Sequence, residues 1–335
     1  ALKRVRAEAL ACRRADDGWL ITMSSGRSIR ADSVVLALGN AHARAPGAFE
    51  QAAVPILDPW DREALARIPS GDILLLGAGL TMIDVALSLA KRRKRGVIYA
   101  LSRRGQTPRA HLTDARPAPP AAFDLPLPLS EALFALRKEA EAAAARGEPW
   151  QYVIDRLRAR TPELWRRLPL EAQQRFLRHA RVWWDVHRHR AAPEVAAQVA
   201  ALRSEGRLKV LAGEIVAAEA GPHGVRVQHR GRGSLARHNM DVAAVINCTG
   251  AAADLTRSDE TLVRQLLDDG VARPHANGLG FDIDQDGRVL SAEGVAHGSL
   301  FALGPVTQGA FWESTAVPEI RVRAAAIAAM LAPEQ

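Results

Sequence analysis

The sequence predicts an α/β protein, and three features of the chain support that class. Apolar runs of strand length occur at residues 34–38, 73–76, 97–101 and 242–246. The run at 73–76 ends at two glycines and gives way to a helical pattern, which indicates a strand, a tight turn and a helix. Helical patterns then fill residues 130–206 without an intervening strand. We therefore predict parallel sheets interrupted by a block of helices.

Residues 1–40 are predicted to form short strands. Strand patterns at 5–12, 19–23 and 33–40 are separated by turns that contain glycine, and the last of them is apolar enough to be buried. Residues 43–69 contain four prolines and no long periodic pattern. We expect this connector to lead into another domain.

The turn after the run at 73–76 predicts a dinucleotide-binding site. Gly77 would allow the backbone conformations of the turn, and Gly79 would let a pyrophosphate approach the amides at the positive end of the helix dipole. A helix and a strand at 97–101 follow, which is the context this motif requires. Met82 stands where a third small residue is usual, so an ordinary strand–helix turn is the alternative. The predicted cofactor-binding residues are Gly77, Gly79, Leu80, Thr81 and Asp84.

The residues after the strand at 97–101 predict which nicotinamide cofactor is bound. An acidic residue at this place would accept hydrogen bonds from the ribose 2′-hydroxyl of NAD. The chain instead has Ser102, Arg103 and Arg104, and two guanidinium groups with a hydroxyl suit a 2′-phosphate. We therefore predict a preference for NADPH. A solvated basic turn in an arginine-rich chain is the alternative.

Prolines precede the helical block and predict a stiff, extended linker at 116–128. The helices at 130–206 are predicted to form an insertion that serves as a lid or as an oligomer surface. After the block, strand patterns return at 208–211, 214–218, 225–229, 242–250 and 300–305, followed by a loop at 308–312 and a helix at 314–331.

Composition excludes several classes of function. The net charge is +8, but the basic residues are scattered among carboxylates and no zinc-finger or RNA-binding signature accompanies them, so no nucleic-acid partner is predicted. No apolar run reaches the roughly 18 residues of a membrane span, and a cytoplasmic location is the default expectation. Cys12 and Cys248 are the only cysteines and form no Cys-x-x-Cys pair, which excludes a dithiol relay. Both are expected to be small buried hydrophobes.

The segment at 183–190 offers one candidate catalytic residue. His187 and His189 are two residues apart and would point roughly 200° away from each other on a helix, so no metal site is predicted. His187 can exchange a proton near neutral pH and is a candidate contact for substrate or cofactor. The alternative is a surface helix end with Trp183 or Trp184 in the core.

Taken together, the motifs resemble those of the bacterial FAD/NAD(P)-binding oxidoreductases, which are distantly similar to flavin-dependent N-hydroxylases. The motifs that carry the resemblance are LALGN at 36–40, GAGLTMID at 77–84, SRRG at 102–105, WDVHRHR at 184–190, NCTG at 247–250 and LGPVTQG at 303–309. The resemblance covers almost the whole chain. It implies a Rossmann-like NAD(P)H domain with a helical insertion, and a second Rossmann-type domain for FAD split around it.

The domain boundaries implied by the resemblance are 1–47 and 251–335 for the FAD-type domain, 48–115 and 207–250 for the NAD(P)H domain, and 116–206 for the insertion. Proteins of this kind open with a glycine fingerprint of their own for the FAD pyrophosphate. No such fingerprint precedes residue 70 here, so we expect the FAD-type domain to be incomplete.

The resemblance also implies site residues. Gly304 and Pro305 would lie near the ribityl chain or pyrophosphate of FAD, and Gln308, Gly309 and Trp312 near the isoalloxazine. The strand ends at Gly39, Asn40, Thr249 and Gly250 are further predicted cofactor contacts. Trp312 is a candidate catalytic residue, with simple packing as the alternative.

Two functions follow from these predictions. In the first, the protein is an oxidoreductase that passes a hydride from NADPH to FAD and then electrons to O2 or another acceptor, with a small-molecule substrate. In the second, it is a dinucleotide-sensing or partner-binding protein without catalysis, because a fold alone does not fix function.

Overall fold

The computed structural model of the protein describes residues 2–92, 95–113, 125, 128–158, 160–221 and 224–332. The strands are β1 (Ala9–Ala15), β2 (Gly18–Met23), β3 (Ser28–Ala31), β4 (Val34–Leu36), β5 (Ile73–Leu76), β6 (Ile98–Ser102), β7 (Leu208–Gly221), β8 (Gly224–Gly231), β9 (Arg237–Val242), β10 (Ala244–Asn247), β11 (Arg288–Leu290) and β12 (Ala296–Ala302). The helices are α1 (Gly47–Ala52), α2 (Arg62–Ala66), α3 (Leu80–Arg92), α4 (Leu129–Ala145), α5 (Trp150–Arg158), α6 (Thr161–Arg167), α7 (Leu170–His179), α8 (Arg181–Arg188), α9 (Pro193–Ser204), α10 (Thr261–Asp268) and α11 (Val317–Leu331). The predicted α/β class is confirmed.

The largest sheet has six strands in the order β10-β5-β6-β7-β8-β9. The pairs from β10 to the first half of β7 are parallel, and β7, β8 and β9 pair antiparallel. Every residue of β5 and β10 is buried, as expected for central parallel strands covered on both faces. This sheet contains the strand–turn–helix unit that the sequence predicts.

Helices cover both faces of this sheet. On one face, α3 contributes Met82 and Ala86 and α9 contributes Leu202 to a single apolar cluster with β5 and β6. On the other face, Phe49 of α1 packs in a cluster that includes Leu74. Because α9 leads into β7 and packs on the sheet, it is the crossover helix between two parallel strands.

A second unit combines the beginning and the end of the chain. β4 pairs parallel with β12, which also pairs with β11, and the antiparallel strands β1, β2 and β3 form a separate small sheet. Cys12 and Trp19 of this small sheet pack in one cluster with Val263, Leu266 and Leu300. The first forty residues and the residues after 250 therefore share a core.

The helical block α4–α8 packs against this second unit. The Trp165 ring stacks on that of Trp312 with centroids 4.8 Å apart, and the Trp165 indole N–H donates to the Gly309 carbonyl at 2.7 Å. Arg158 of α5 forms an ion pair with Glu319 of α11 at 2.7 Å. Among the described residues, no helix is both long and apolar enough to cross a membrane.

Some elements differ from the sequence prediction. The runs at 208–211 and 214–218 form one strand, β7, because the chain passes from parallel pairing with β6 to antiparallel pairing with β8 without a turn. The short strands β3 and β9 were not predicted. Most of the predicted proline linker at 116–128 lies outside the described residues.

Candidate functional site

A cleft of about 570 Å³ lies at the carboxyl ends of the parallel strands β4, β5 and β10, which belong to two different sheets. Open α/β sheets bind ligands at this edge. The predicted site residues that line the cleft are Gly39, Asn40, Gly77, Gly79, Leu80, Thr81, Ser102, Thr249, Gly250, Pro305 and Gln308. The structure therefore brings together residues that the chain separates by more than two hundred positions.

Gly77 and Gly79 have different roles in the turn after β5. Gly77 has a φ of 101°, and a Cβ there would lie 2.5 Å from the carbonyl oxygen of Cys248 at the end of β10. A Cβ on Gly79 would meet no atom within 4 Å. Gly77 thus permits close backbone packing, whereas the missing side chain of Gly79 leaves space in the cleft for a ligand.

The amino end of α3 faces the same space. The Ile83 N–H donates to the Gly79 carbonyl at 3.2 Å, so the amides that precede it have no partner within the helix. Leu80 and Thr81 line the cleft, but Asp84 is exposed on α3 and is not part of the lining. These amides and the helix dipole suit an anion such as a pyrophosphate.

The basic turn after β6 lies beside the cleft. Ser102 lines it, and its hydroxyl accepts a hydrogen bond from the Gly105 N–H at 3.0 Å. Arg103 is exposed and Arg104 half-buried, and neither is part of the lining. Within the part of the chain that the structure describes, no carboxylate forms an ion pair with either guanidinium. Both charges therefore remain available to an anionic ligand.

Asn247 fixes the end of β10 to the connector between the two units. Its side-chain amide donates to the carbonyl oxygens of Ala43 and Arg44, at 3.2 and 2.9 Å. The side-chain Oδ1 of Asn247 accepts hydrogen bonds from the backbone N–H and the hydroxyl of Thr249. The strand end at Thr249 is therefore held in place by a buried polar side chain.

Three other turns with positive φ lie at strand ends near the cleft. Gly39, Gly250 and Gly304 have φ values of 73°, 91° and 83°, and a Cβ on any of them would meet nothing within 4 Å. Gly304 precedes the short 3-10 helix Pro305–Thr307 and lies next to the lining residues. Like Gly79, these positions leave open space at strand ends.

Gly309 and Trp312 do not line the cleft. A Cβ on Gly309 would lie 2.5 Å from both His275 Cγ and the Leu279 carbonyl oxygen, so this glycine is required by packing. Trp312 is 4% exposed and stacked on Trp165. Their position near the isoalloxazine stays a prediction, and in the structure Trp312 packs in an apolar cluster with Trp165 and Leu279.

Helix α8 contributes Arg181, Asp185 and His189 to the cleft, whereas His187 lies on another face of the helix. Arg181 Nε donates to Asp185 at 3.4 Å. Burial raises the pKa of Asp185, although the charge of Arg181 acts to lower it. Burial lowers the pKa of His189, although the charge of Asp185 acts to raise it. We did not predict these three residues, although their spacing of four along a helix places them on one face.

Burial also shifts the pKa values of the two cysteine thiols. It raises the pKa of Cys248 to about 12 and that of Cys12 to about 11, so both thiols are neutral at physiological pH. The prediction that both are small buried hydrophobes is confirmed.

The fold and the cleft define the class of protein as an α/β fold of Rossmann type. A family model described as FAD-NAD(P)-binding matches residues 1–41. The chain is similar to the L-lysine 6-monooxygenase of Pseudomonas syringae, with a TM-score of 0.65 and 18% identity over 97% of this chain and 70% of that one. No curated protein sequence matches it.

Two further solved structures show the same fold. The cadaverine monooxygenase of the desferrioxamine pathway from Erwinia amylovora, solved with FAD bound, has a TM-score of 0.63 and 10% identity over 97% of this chain and 68% of that one. The ornithine N-hydroxylase of Kutzneria sp. 744, whose structure contains reduced FAD, NADP+ and L-ornithine, has a TM-score of 0.61 and 16% identity over 96% of this chain and 70% of that one. The predicted similarity to flavin-dependent N-hydroxylases is confirmed at the level of the fold.

Proposed function

We propose that the protein is an NADPH-dependent flavin oxidoreductase, of the monooxygenase or reductase type, that acts on a small molecule. The observation that carries the proposal is the cleft that is lined both by the open turn at Gly79 and by the strand ends at Gly39, Gly250 and Pro305. Such a cleft can bring two dinucleotides together at the carboxyl ends of two sheets. A cytoplasmic location remains a prediction.

The residues on the NADPH side bind and orient the cofactor. The amides at the start of α3 would hold the pyrophosphate, and Arg103 and Arg104 would hold the 2′-phosphate. Asn247 keeps the adjoining strand end at Thr249 in place. When bound, NADPH supplies a hydride and FAD accepts it, so these residues need only position and enclose the reactants.

On the flavin side, Gly39, Asn40, Pro305 and Gln308 would contact FAD. Their fit is supported by the open space at Gly39 and Gly304, where side chains would otherwise occupy the cleft. The solved structures named above belong to enzymes of lysine, ornithine and cadaverine. We propose a small molecule as the substrate here and leave its class undefined.

We propose the division of the chain into a unit at 1–47 and 251–335 and a unit at 48–115 and 207–250, with an insertion between residues 116 and 206. The shared core of β1, α10 and β12 supports the first unit. Since α9 packs on α3 and β5, we assign α9 to the NADPH unit rather than to the insertion.

The preference for NADPH is the sharpest test of this function. We expect Arg103→Ala and Arg104→Ala each to weaken NADPH binding about tenfold, because each removes a charge-assisted contact to the 2′-phosphate, and to leave NADH binding unchanged. Arg203→Ala, an exposed position on α9, is the matched control. Calorimetric titration of the purified protein with both cofactors measures the effect.

Equal affinity of the wild type for NADPH and NADH would contradict the cofactor assignment. The visible absorbance of FAD added to the protein provides a second readout: bleaching by NADPH supports the oxidoreductase. Tight NADPH binding without electron transfer would instead support the dinucleotide-sensing alternative.

A further inference from the structure

The helical block contains a second pocket that the proposed function does not use. It has a volume of about 790 Å³ and lies between α4, α5, α7 and α8. Trp183, Trp184 and His187 of α8 line this pocket, whereas Arg181 and Asp185 of the same helix line the dinucleotide cleft. The two spaces are therefore separated by α8. The volume is within the range of about 300–1,000 Å³ that is usual for small-molecule sites.

The pocket wall is aromatic and is held in position. The rings of Trp150 and His187 form a T-shaped pair, with centroids 5.0 Å apart and an interplanar angle of 85°. The Arg190 guanidinium lies 5.8 Å from the Trp150 ring centroid. Arg190 is itself paired with Asp155. The other apolar lining residues are Leu133, Leu136, Val153, Ile154, Phe176, Trp183 and Trp184. A wall of this kind favours a hydrocarbon or an aromatic ring.

Every charged or ionisable residue of the lining is basic. These residues are Arg109, Arg137, His179 and His187. The backbone of Arg109 is fixed to the end of α8, because its N–H donates to the Val186 carbonyl and its carbonyl accepts from the Ala191 N–H, both at 2.9 Å. Within the described ranges, neither Arg109 nor Arg137 forms an ion pair with a carboxylate. The exposed guanidinium groups at the mouth thus favour an anion.

His187 adds a directed polar group. Its Nδ1 lies 2.7 Å from the Trp183 carbonyl oxygen, and since a carbonyl can only accept, Nδ1 carries the hydrogen. The Nε2 atom then accepts a hydrogen bond when the ring is neutral and donates one when the ring is protonated. With the ring neutral, Nε2 can therefore accept from a protonated carboxyl group, whereas the protonated ring donates to a carboxylate.

We propose that this pocket binds a small amphipathic carboxylate, whose hydrocarbon part packs on Trp150, Trp183 and Trp184 and whose carboxylate contacts Arg109, Arg137 and His187. The combination of an apolar aromatic wall with an entirely basic set of polar residues fits this class of ligand and disfavours amines and neutral sugars. The site is distinct from the dinucleotide cleft, and its occupancy does not depend on the proposed redox function.

The probe ligand is decanoate, and the control ligand is decanamide, which has the same hydrocarbon chain but no charge. Titration of the full chain at neutral pH, followed by tryptophan fluorescence and confirmed by calorimetry, should give saturable binding of decanoate at least tenfold tighter than that of decanamide. Arg137→Ala and Arg109→Ala should each weaken decanoate binding about tenfold. Arg175→Ala, on an exposed position of α7 outside the lining, should leave it unchanged.

Ala140→Phe fills the pocket from α4 and should abolish binding of both probes, with folding checked by circular dichroism. Equal affinity for decanoate and decanamide, unchanged binding in Ala140→Phe, or no saturable binding of decanoate would each overturn the proposal. NADPH binding, measured in parallel on the same samples, reports on the proposed function separately.

Discussion

Gly77 and Gly79 are two residues apart, yet the structure gives them separate physical roles. At Gly77, a side chain would meet the backbone of Cys248. The backbone at this position also has a φ of 101°, which residues with a side chain rarely adopt. At Gly79, a side chain would meet only open space in the cleft. One glycine is therefore required by the fold, and the other leaves the space that we propose for a ligand.

Substitution should separate these two roles. We expect Gly77→Ala to lower the free energy of unfolding by about 1–3 kcal/mol, because of backbone strain and the contact with β10. Gly79→Val should change it by less than about 0.5 kcal/mol but weaken NADPH binding at least tenfold. Urea denaturation and cofactor titration measure both quantities. NADPH binding that survives in Gly79→Val would show that the pyrophosphate does not lie at this turn.

Gly309 has packing partners that residue type and motif alone do not reveal. Its carbonyl oxygen accepts from Trp165, which lies 144 positions away in the chain, and the Asn277 amide also donates to it. Contacts between such distant positions leave no local pattern in the sequence. The same holds for Trp312, whose stacking partner is Trp165.

At the scale of elements, the sequence predicts those helices and strands that depend on interactions between residues close together in the chain. The unit of β5, α3 and β6 was predictable because its strand hydrophobicity, its two glycines and its helical period lie within thirty residues of chain. β7 was predicted as two strands because its pairing partner changes from β6 to β8 in mid-strand, and only the tertiary structure fixes that change.

Helix α8 shows that the choice of residues lining the cleft also depends on the tertiary structure. The sequence directed attention to His187, which lies 5.0 Å from Trp150 in the second pocket. The structure places Asp185 and His189 in the cleft instead. The helical period predicts that these two share a face, but which face meets the cleft depends on packing against distant elements.

The position of His189 predicts a dependence of stability on pH. Burial lowers its pKa in the folded protein below the usual 6.5, against the charges of Asp185 and Glu313, and Arg188 and Arg181 lower it further. Between the lowered value and 6.5 the unfolded chain binds more protons than the folded one, so stability falls as the pH falls through this window. Asp185 has the opposite sense, because its raised pKa lowers stability as the pH rises.

We expect His189→Gln to lose less stability than the wild type between pH 7 and pH 5, because it removes the proton uptake on unfolding. Urea denaturation at a series of pH values measures the slope. His179→Gln, an exposed position outside the cleft, should keep the wild-type slope. Identical slopes for wild type and His189→Gln would contradict the assignment of a buried, neutral histidine.

At the scale of the whole molecule, the helical block forms a wall of the cleft and is joined to the second unit by at least three groups of contacts. Arg188 of α8 lies 2.9 Å from Glu313, with side chains 10% and 2% exposed, and the Trp184 indole donates to Glu313 at 3.1 Å. Arg158 and Glu319 form the second contact. The third is the cluster around Trp165, so the position of α8 depends on the C-terminal part of the chain.

Removing the Trp165 ring should loosen the helical block without unfolding the large sheet. The ring is 3% exposed, stacks on Trp312 and meets the edge of Phe176, and we expect Trp165→Ala to cost about 3–5 kcal/mol. Amide hydrogen exchange should accelerate in α5–α8 while β5, β6 and β10 keep their protection, because α3, α9 and α1 cover that sheet independently of Trp165. Trp60→Ala, at a 71% exposed position, should change neither stability nor exchange in these helices. Equal acceleration in the sheet and the helices would show that the block and the sheet unfold as one unit, and that the cleft wall cannot move separately from the strands it faces.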